Sequence, residues 1–214
     1  MKIIKIFYVI CTLIVVSSNC YAQEMSVLVG FGQTNVNTDP YASLEPTPQL
    51  HYKIGISGKY NLNEYFNIKS GFLFSARNYG FDLDPAIDPS MSQIKAHLYY
   101  LDVPLNLEIN LAPWFSIYGG YTLAANVTKR FKTVDGPFDF DGTITGTKSP
   151  IYLLNFGTSF YFSRFSIDLY YERFRGEIYR NGAEDFDIYG LNFNFWFLQK
   201  EQVAYEGTNR LRNK

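Results

Sequence analysis

The chain has two cysteines, Cys11 and Cys20, both near its N-terminus. A chain cleaved after Ala22 would carry no thiol, so disulfides, thiolate metal sites and a cysteine nucleophile are excluded. Histidine is nearly as scarce, with only His51 and His97. Beyond residue 22 no apolar run approaches the ~20 residues that a membrane helix needs. A concentration of positive charge is missing too. The 19 basic residues against 20 acidic ones leave a formal charge of −1, which argues against nucleic acid as a partner.

What the chain does have is an export signal and aromatic rings. Residues 1–22 read as a secretory signal peptide: Lys2 and Lys5, the apolar stretch Ile6–Val16, then Cys20-Tyr21-Ala22 before a cut at Gln23. A lipoprotein signal at Cys20 is the rival, but Asn19 is larger and more polar than the residue such a site uses. A membrane anchor is the other rival, and the apolar core is short for one. Aromatics make up 18% of the chain, and mean hydropathy is −0.12 despite 47% hydrophobic residues. That combination points to alternation rather than to apolar blocks. At 214 residues one domain is expected.

The alternation is plainest over Tyr99–Val127. Tyr99, Leu101, Val103, Leu105, Leu107 and Ile109 share one face, opposed by Tyr100, Asp102, Pro104, Asn106 and Glu108. After a turn at Asn110–Trp114, Phe115, Ile117, Gly119, Tyr121, Leu123, Ala125 and Val127 oppose Ser116, Tyr118, Gly120, Thr122, Ala124 and Asn126. Successive side chains of a strand point to opposite faces, so each half has one apolar and one mostly polar side. Each is also long enough, tilted, to cross a bilayer. Six further strands follow the same rule: from Met25, then Leu50–Tyr60, Tyr65–Arg77, Ile151–Phe162, Phe165 to about Arg173, and Tyr189–Phe197. Short turns at Asn61–Glu64, Asn110–Trp114 and Ser163-Arg164 alternate with the longer connections Val36–Gln49, Asn78–Gln93, Lys129–Ser149 and Arg175–Asp185.

Eight strands with regularly segregated loops predict an eight-stranded antiparallel up-and-down transmembrane β-barrel over residues 23–198. A polar periplasmic tail at 199–214 would follow it. Short turns then lie on the periplasmic side and long loops outside, with both mature termini periplasmic. The continuous apolar face meets lipid and the charged face lines the lumen. Tyr52, Tyr60, Tyr65, Tyr99, Trp114, Tyr121, Tyr171 and Tyr189 are placed for interfacial girdles.

Tyr100-Leu101-Asp102-Val103-Pro104-Leu105, Tyr118-Gly119-Gly120-Tyr121 and the closing Gly190-Leu191-Asn192-Phe193-Asn194-Phe195 resemble the PorT-like outer-membrane β-barrel family, which shares its architecture with OmpA-like eight-stranded barrels. The closing stretch is similar to a barrel-assembly signal, except that Ile188 stands where that signal has a polar residue. The resemblance implies a Gram-negative outer membrane protein inserted by the barrel-assembly machinery, and one family member works in protein secretion. It names no cofactor.

The candidate site is the inner face. Lys53, Lys59, Lys69 and Arg77, with His51 nearby, would meet Asp102, Glu108, Asp168 and Glu172. A lumen too narrow for bulk water needs such charges paired, which makes a plug; a narrow ion path or proton-linked gate is the sharper alternative. A hydrolase using His51 or His97 with Ser75 or Ser92 lacks any recognisable nucleophile setting. Asp139-Phe140-Asp141-Gly142 faintly resembles a calcium loop, yet Ile144 stands in place of its glycine, so no metal is expected. Lys129, Arg130 and Arg173 could contact lipid phosphates. The expected function is structural or interaction-based, with lipopolysaccharide or another envelope protein as partner. Expected alternatives are a secretion component and a channel.

Overall fold

The computed structural model describes residues 24–37, 44–83, 93–134, 141–143, 149–175 and 185–198. The predicted signal peptide, the predicted tail and most of the predicted loop segments, including Ser92 and Asp139, lie outside the described residues. The strands are β1 (Glu24–Asn37), β2 (Leu44–Thr47), β3 (Gln49–Asn61), β4 (Phe66–Leu83), β5 (Gln93–Ala112), β6 (Phe115–Val134), β7 (Asp141–Thr143), β8 (Ile151–Phe162), β9 (Phe165–Phe174) and β10 (Asp185–Leu198). Eight of them close in the order β4-β3-β1-β10-β9-β8-β6-β5, and β5 returns onto β4. Every pairing is antiparallel. Closure leaves no free edge around the barrel. The two short strands lie beyond it, β2 against the end of β4 and β7 against β6.

The short turns are built from local polar contacts. Asn63 Oδ1 accepts the backbone N–H groups of Tyr65 and Phe66, both at 2.9 Å, which fixes the β3–β4 reversal as an Asx turn does. At the β8–β9 turn Ser163 takes a left-handed φ of 54°. Inside, Gly157 is required by close approach: a Cβ there would collide with the Tyr118 ring.

Side-chain direction changes meaning along the strands. Over most of their length Ile54, Ile56, Phe72, Leu101, Leu105, Leu107, Leu169 and Phe193 face out and are exposed, while Ser57, Lys69, Asp102, Glu108, Asp168 and Asn194 face in and are buried. From Phe66 to Ala76 this apolar band rises roughly 25 Å at ordinary strand rise and barrel tilt. Rings mark its two limits. Tyr65, Trp114, Phe162 and Phe165 lie exposed at the short turns, and at the other end Tyr99 stacks on Phe74 at 5.7 Å. Tyr121 is a correction: paired with Leu105 and Leu154, it sits midway up the wall rather than in a girdle.

Past the upper ring the polarity inverts. Tyr79, Ala96, Leu98, Ile151, Leu153, Phe174, Phe186 and Ile188 turn inward and are buried. The outward positions become Asn78, Lys95, His97, Arg130, Arg173 and Asp187. The strands therefore run on past the boundaries expected from sequence. The predicted Asn78–Gln93 loop is strand to Leu83 and again from Gln93, and the predicted Lys129–Ser149 loop is strand to Val134. A single rule of apolar outside and polar inside stops working where the rule reverses, so the predicted strands ended at Arg77 and began at Tyr99 and Tyr189.

Candidate functional site

The lumen charges form three tiers, counted from the short-turn end. In the first, Lys59 Nζ lies 2.8 Å from Glu24 Oε2 and over the rings of Tyr161 (4.5 Å) and Trp196 (5.2 Å). In the second, Lys69 Nζ lies 3.2 Å from Asp168 Oδ2 and 3.6 Å from Glu108 Oε2, donates to Ser159 Oγ, and faces Tyr118 at 4.8 Å. In the third, the Arg77 guanidinium grips Asp102 with two bonds of 3.0 and 2.7 Å, donates to Ser75 Oγ, and stands 3.5 Å from Glu172 Oε2. Lys53 Nζ donates to the other Glu172 oxygen at 2.7 Å and sits 3.5 Å from the centre of the Tyr170 ring. Arg77 covers Tyr100 at 4.7 Å.

Each of the four cations thus has a carboxylate and an aromatic face, the two groupings that make a desolvated cation tolerable. The carboxylates are held from their other sides. Glu108 Oε1 accepts from Tyr161 and Asn67, and Asp168 Oδ2 accepts from Asn194. The ties cross the barrel: Lys53 on β3 meets Glu172 on β9, and Lys69 on β4 meets Asp168 on β9. Above the third tier the inverted strand ends fill the lumen with Val36, Tyr79, Ala96, Leu98, Ile151, Leu153, Phe174, Phe186 and Ile188 in one buried cluster. Ile188, out of place in an assembly signal, is a wholly buried part of this cap.

The structure brings all eight predicted lumen charges into this stack. Sequence reasoning missed Glu24, the partner of Lys59. Its parity with Ser26 and Leu28 was the signal, but it precedes the first residue taken as strand. It also missed the lumen rings Tyr100, Tyr118, Tyr161, Tyr170 and Trp196 as cation partners, although their parity placed them on the polar face.

The remaining candidates are dispersed. His51 is fully buried, edge-on to Tyr170 at 6.2 Å, and among the described residues neither ring nitrogen has a side-chain hydrogen-bond partner. His97 Nδ1 pairs with Asn78 Oδ1 at 2.9 Å, and the Ser75 hydroxyl accepts from Arg77. Asp141 and Gly142, predicted as part of a faint calcium loop, lie instead in strand β7. Among the described residues no group of acidic or histidine side chains is arranged to hold a metal. Arg130 is exposed on β6, and Lys129 lies opposite Leu98 in register. Arg173, on β9, is committed to Asp187 at 3.5 Å.

Residues 21–176 match the family described as outer membrane protein beta-barrel domain. No curated protein matches the chain. Among solved structures, Neisserial surface protein A (NspA) is similar at 12% identity and TM-score 0.50, covering 80% of this chain and 96% of its own. Two more distant likenesses are Ail of Yersinia pestis (17%, TM-score 0.42, 81% and 99% covered) and OprG of Pseudomonas aeruginosa (13%, TM-score 0.41, 82% and 96% covered).

Proposed function

The chain belongs to the outer membrane protein β-barrel domain family and sits in the outer membrane, and from that premise we propose that it is a closed, non-conducting barrel that acts through its outer surface. One observation carries this: the lumen is filled along its length, by three tiers of paired charge and then by an apolar cap. An eight-stranded barrel leaves room inside for little more than its own side chains. Carrying an ion through would require breaking bonds such as the two-pronged Arg77–Asp102 grip, whose members are almost wholly buried, and then wetting the mostly apolar buried cluster above it. A structural or interaction role in the envelope is what remains for such a molecule.

The orientation belongs to the same proposal. Residues 1–22 serve as a cleaved signal, the short turns and both mature termini face the periplasm, and the extended strand ends project outward. Kinship with the narrower PorT-like group rests on Tyr100–Leu105 and Tyr118–Tyr121. In this chain those stretches supply Asp102 for Arg77 and Tyr118 for Lys69, which gives them a role in the wall. Neither stretch favours secretion over other envelope work. The test is reconstitution of the folded barrel in planar bilayers. Silence under applied voltage is expected, and reproducible unitary steps would overturn the proposal in favour of a channel.

A further inference from the structure

Glu24, missing from the charges expected inside, upsets their balance. Among the described residues the stack holds four cations, Lys53, Lys59, Lys69 and Arg77, against five carboxylates, Glu24, Asp102, Glu108, Asp168 and Glu172. The first tier is matched, Lys59 to Glu24, and so is the third, Lys53 and Arg77 to Glu172 and Asp102. The second tier is not. Lys69 is its one cation, and both Glu108 and Asp168 lie against it. His51 does not correct this, since it stands in the third tier, directly opposite Arg77 in register.

The unsatisfied oxygens show the same imbalance. Lys69 Nζ donates to Asp168 Oδ2 and Ser159 Oγ, both at 3.2 Å, and stands 3.6 Å from Glu108 Oε2, too far for a hydrogen bond. Among the described residues Glu108 Oε2 and Asp168 Oδ1 have no hydrogen-bond partner. An asparagine beside each carboxylate shares that condition. Asn67 donates from Nδ2 to Glu108 Oε1, Asn194 donates from Nδ2 to Asp168 Oδ2, and the carbonyl oxygen of each amide is unpartnered. None of the four residues is more than 2% exposed. All four orphan atoms are acceptors, and two of them belong to carboxylates. The strands that enclose this level are all described. The other titratable groups they bring to it are Tyr118, over Lys69, and Tyr161, which lies between Glu108 and Lys59.

Buried polar atoms are nearly always paired, and an uncompensated buried charge is costlier still. Water can donate to the acceptors but does not remove the surplus negative charge. A divalent ion would reverse its sign. Two carboxylates are too few for a site of acidic side chains alone; the amide oxygens extend the set with the hard ligands that suit such ions.

We propose that the second tier binds one alkali cation of the sodium class through Glu108 Oε2, Asp168 Oδ1 and the amide oxygens of Asn67 and Asn194. The inference rests on the filled lumen proposed above and adds to it an ion that stays rather than one that passes.

The test is urea unfolding of the full lipid-embedded barrel in sodium chloride against choline chloride at equal ionic strength, choline being too large to enter. Wild type should be more stable in sodium. Its unfolding constant should fall about ten-fold for each ten-fold rise in sodium above half-saturation, the signature of one bound ion. Glu108→Gln keeps the side-chain size and removes the surplus charge, so it should lose the sodium dependence, as should Asp168→Asn. Native mass spectrometry of the folded barrel should find one sodium retained by wild type and lost from E108Q. Equal stability of wild type in sodium and choline would overturn the site. Dependence on pH in place of sodium would overturn it in favour of a proton. Sodium dependence surviving in both variants would overturn it by placing the ion elsewhere. Each failure leaves the electrical silence untouched, because conductance is read in separate bilayer recordings.

Discussion

The two ends of the lumen solve the same packing problem in opposite ways. Toward the short turns, Lys59, Lys69, Arg77 and Lys53 sit in a space without bulk water, and each needs both an anion and an aromatic ring. Toward the long connections, Leu98, Leu153, Phe174, Phe186 and Ile188 fill the same cross-section without needing any partner. The difference follows from what lies outside the wall. Where lipid covers the exterior, apolar side chains belong outward and the polar half of each strand is driven inside, where it must be paired. Above the lipid the exterior can be polar, and the interior reverts to an ordinary apolar core.

The comparison can be broken most sharply in the third tier. Arg77→Leu leaves Asp102 buried without its cation and Glu172 with only Lys53. We expect a loss of about 3–5 kcal/mol in a urea titration of the lipid-embedded barrel, largely recovered in the double variant R77L/D102L. A cost under about 1 kcal/mol would mean that the tier is not a fixed network. In the cap, Ile188→Ala removes only contact and should cost about 2–4 kcal/mol, with no conductance appearing, since the charged tiers still close the lumen. If Ile188→Ala outweighed Arg77→Leu, stability would reside mainly in the cap and the contrast between the two ends would fail.

A smaller effect belongs to the wall. Gly157→Ala forces a methyl against the Tyr118 ring, which itself faces Lys69. We expect about 1–3 kcal/mol by the same titration, and near-neutrality would show that Tyr118 can swing aside. The smallest effect serves as the reference for an exterior pair. Arg173→Gln breaks a half-exposed contact with Asp187 and should shift stability by less than about 1 kcal/mol. A shift as large as that of Arg77→Leu would show that burial is not what separates the two ion pairs.

Much of this was legible along the chain. The parity of Lys53, Lys59, Lys69 and Arg77 against Ile54, Ile56, Phe72 and Phe74 placed the cations inside, because period-two alternation is a local property of a strand. The turns at Asn63 and Ser163 were legible for the same reason. The cap was not, because Tyr79, Leu98 and Ile188 obey the reverse rule and so read as the end of a strand or as a departure from a motif. The register slip that leaves Val127 without a partner on β5 was not legible either, because a one-residue bulge leaves no mark in composition, yet it changes every face that follows, that of Arg130 included.

The sequence by itself determined the eight strands, their faces and the segregation of short turns from long connections, since each depends on neighbours two to five residues apart. Only the tertiary structure decided that Lys53 crosses to Glu172, that Lys69 serves Asp168 and Glu108 together, and that Glu24 closes the first tier. The stagger between strands determines which inward residues share a level in a closed barrel. That stagger is a property of the closed ring, set once all eight strands have met.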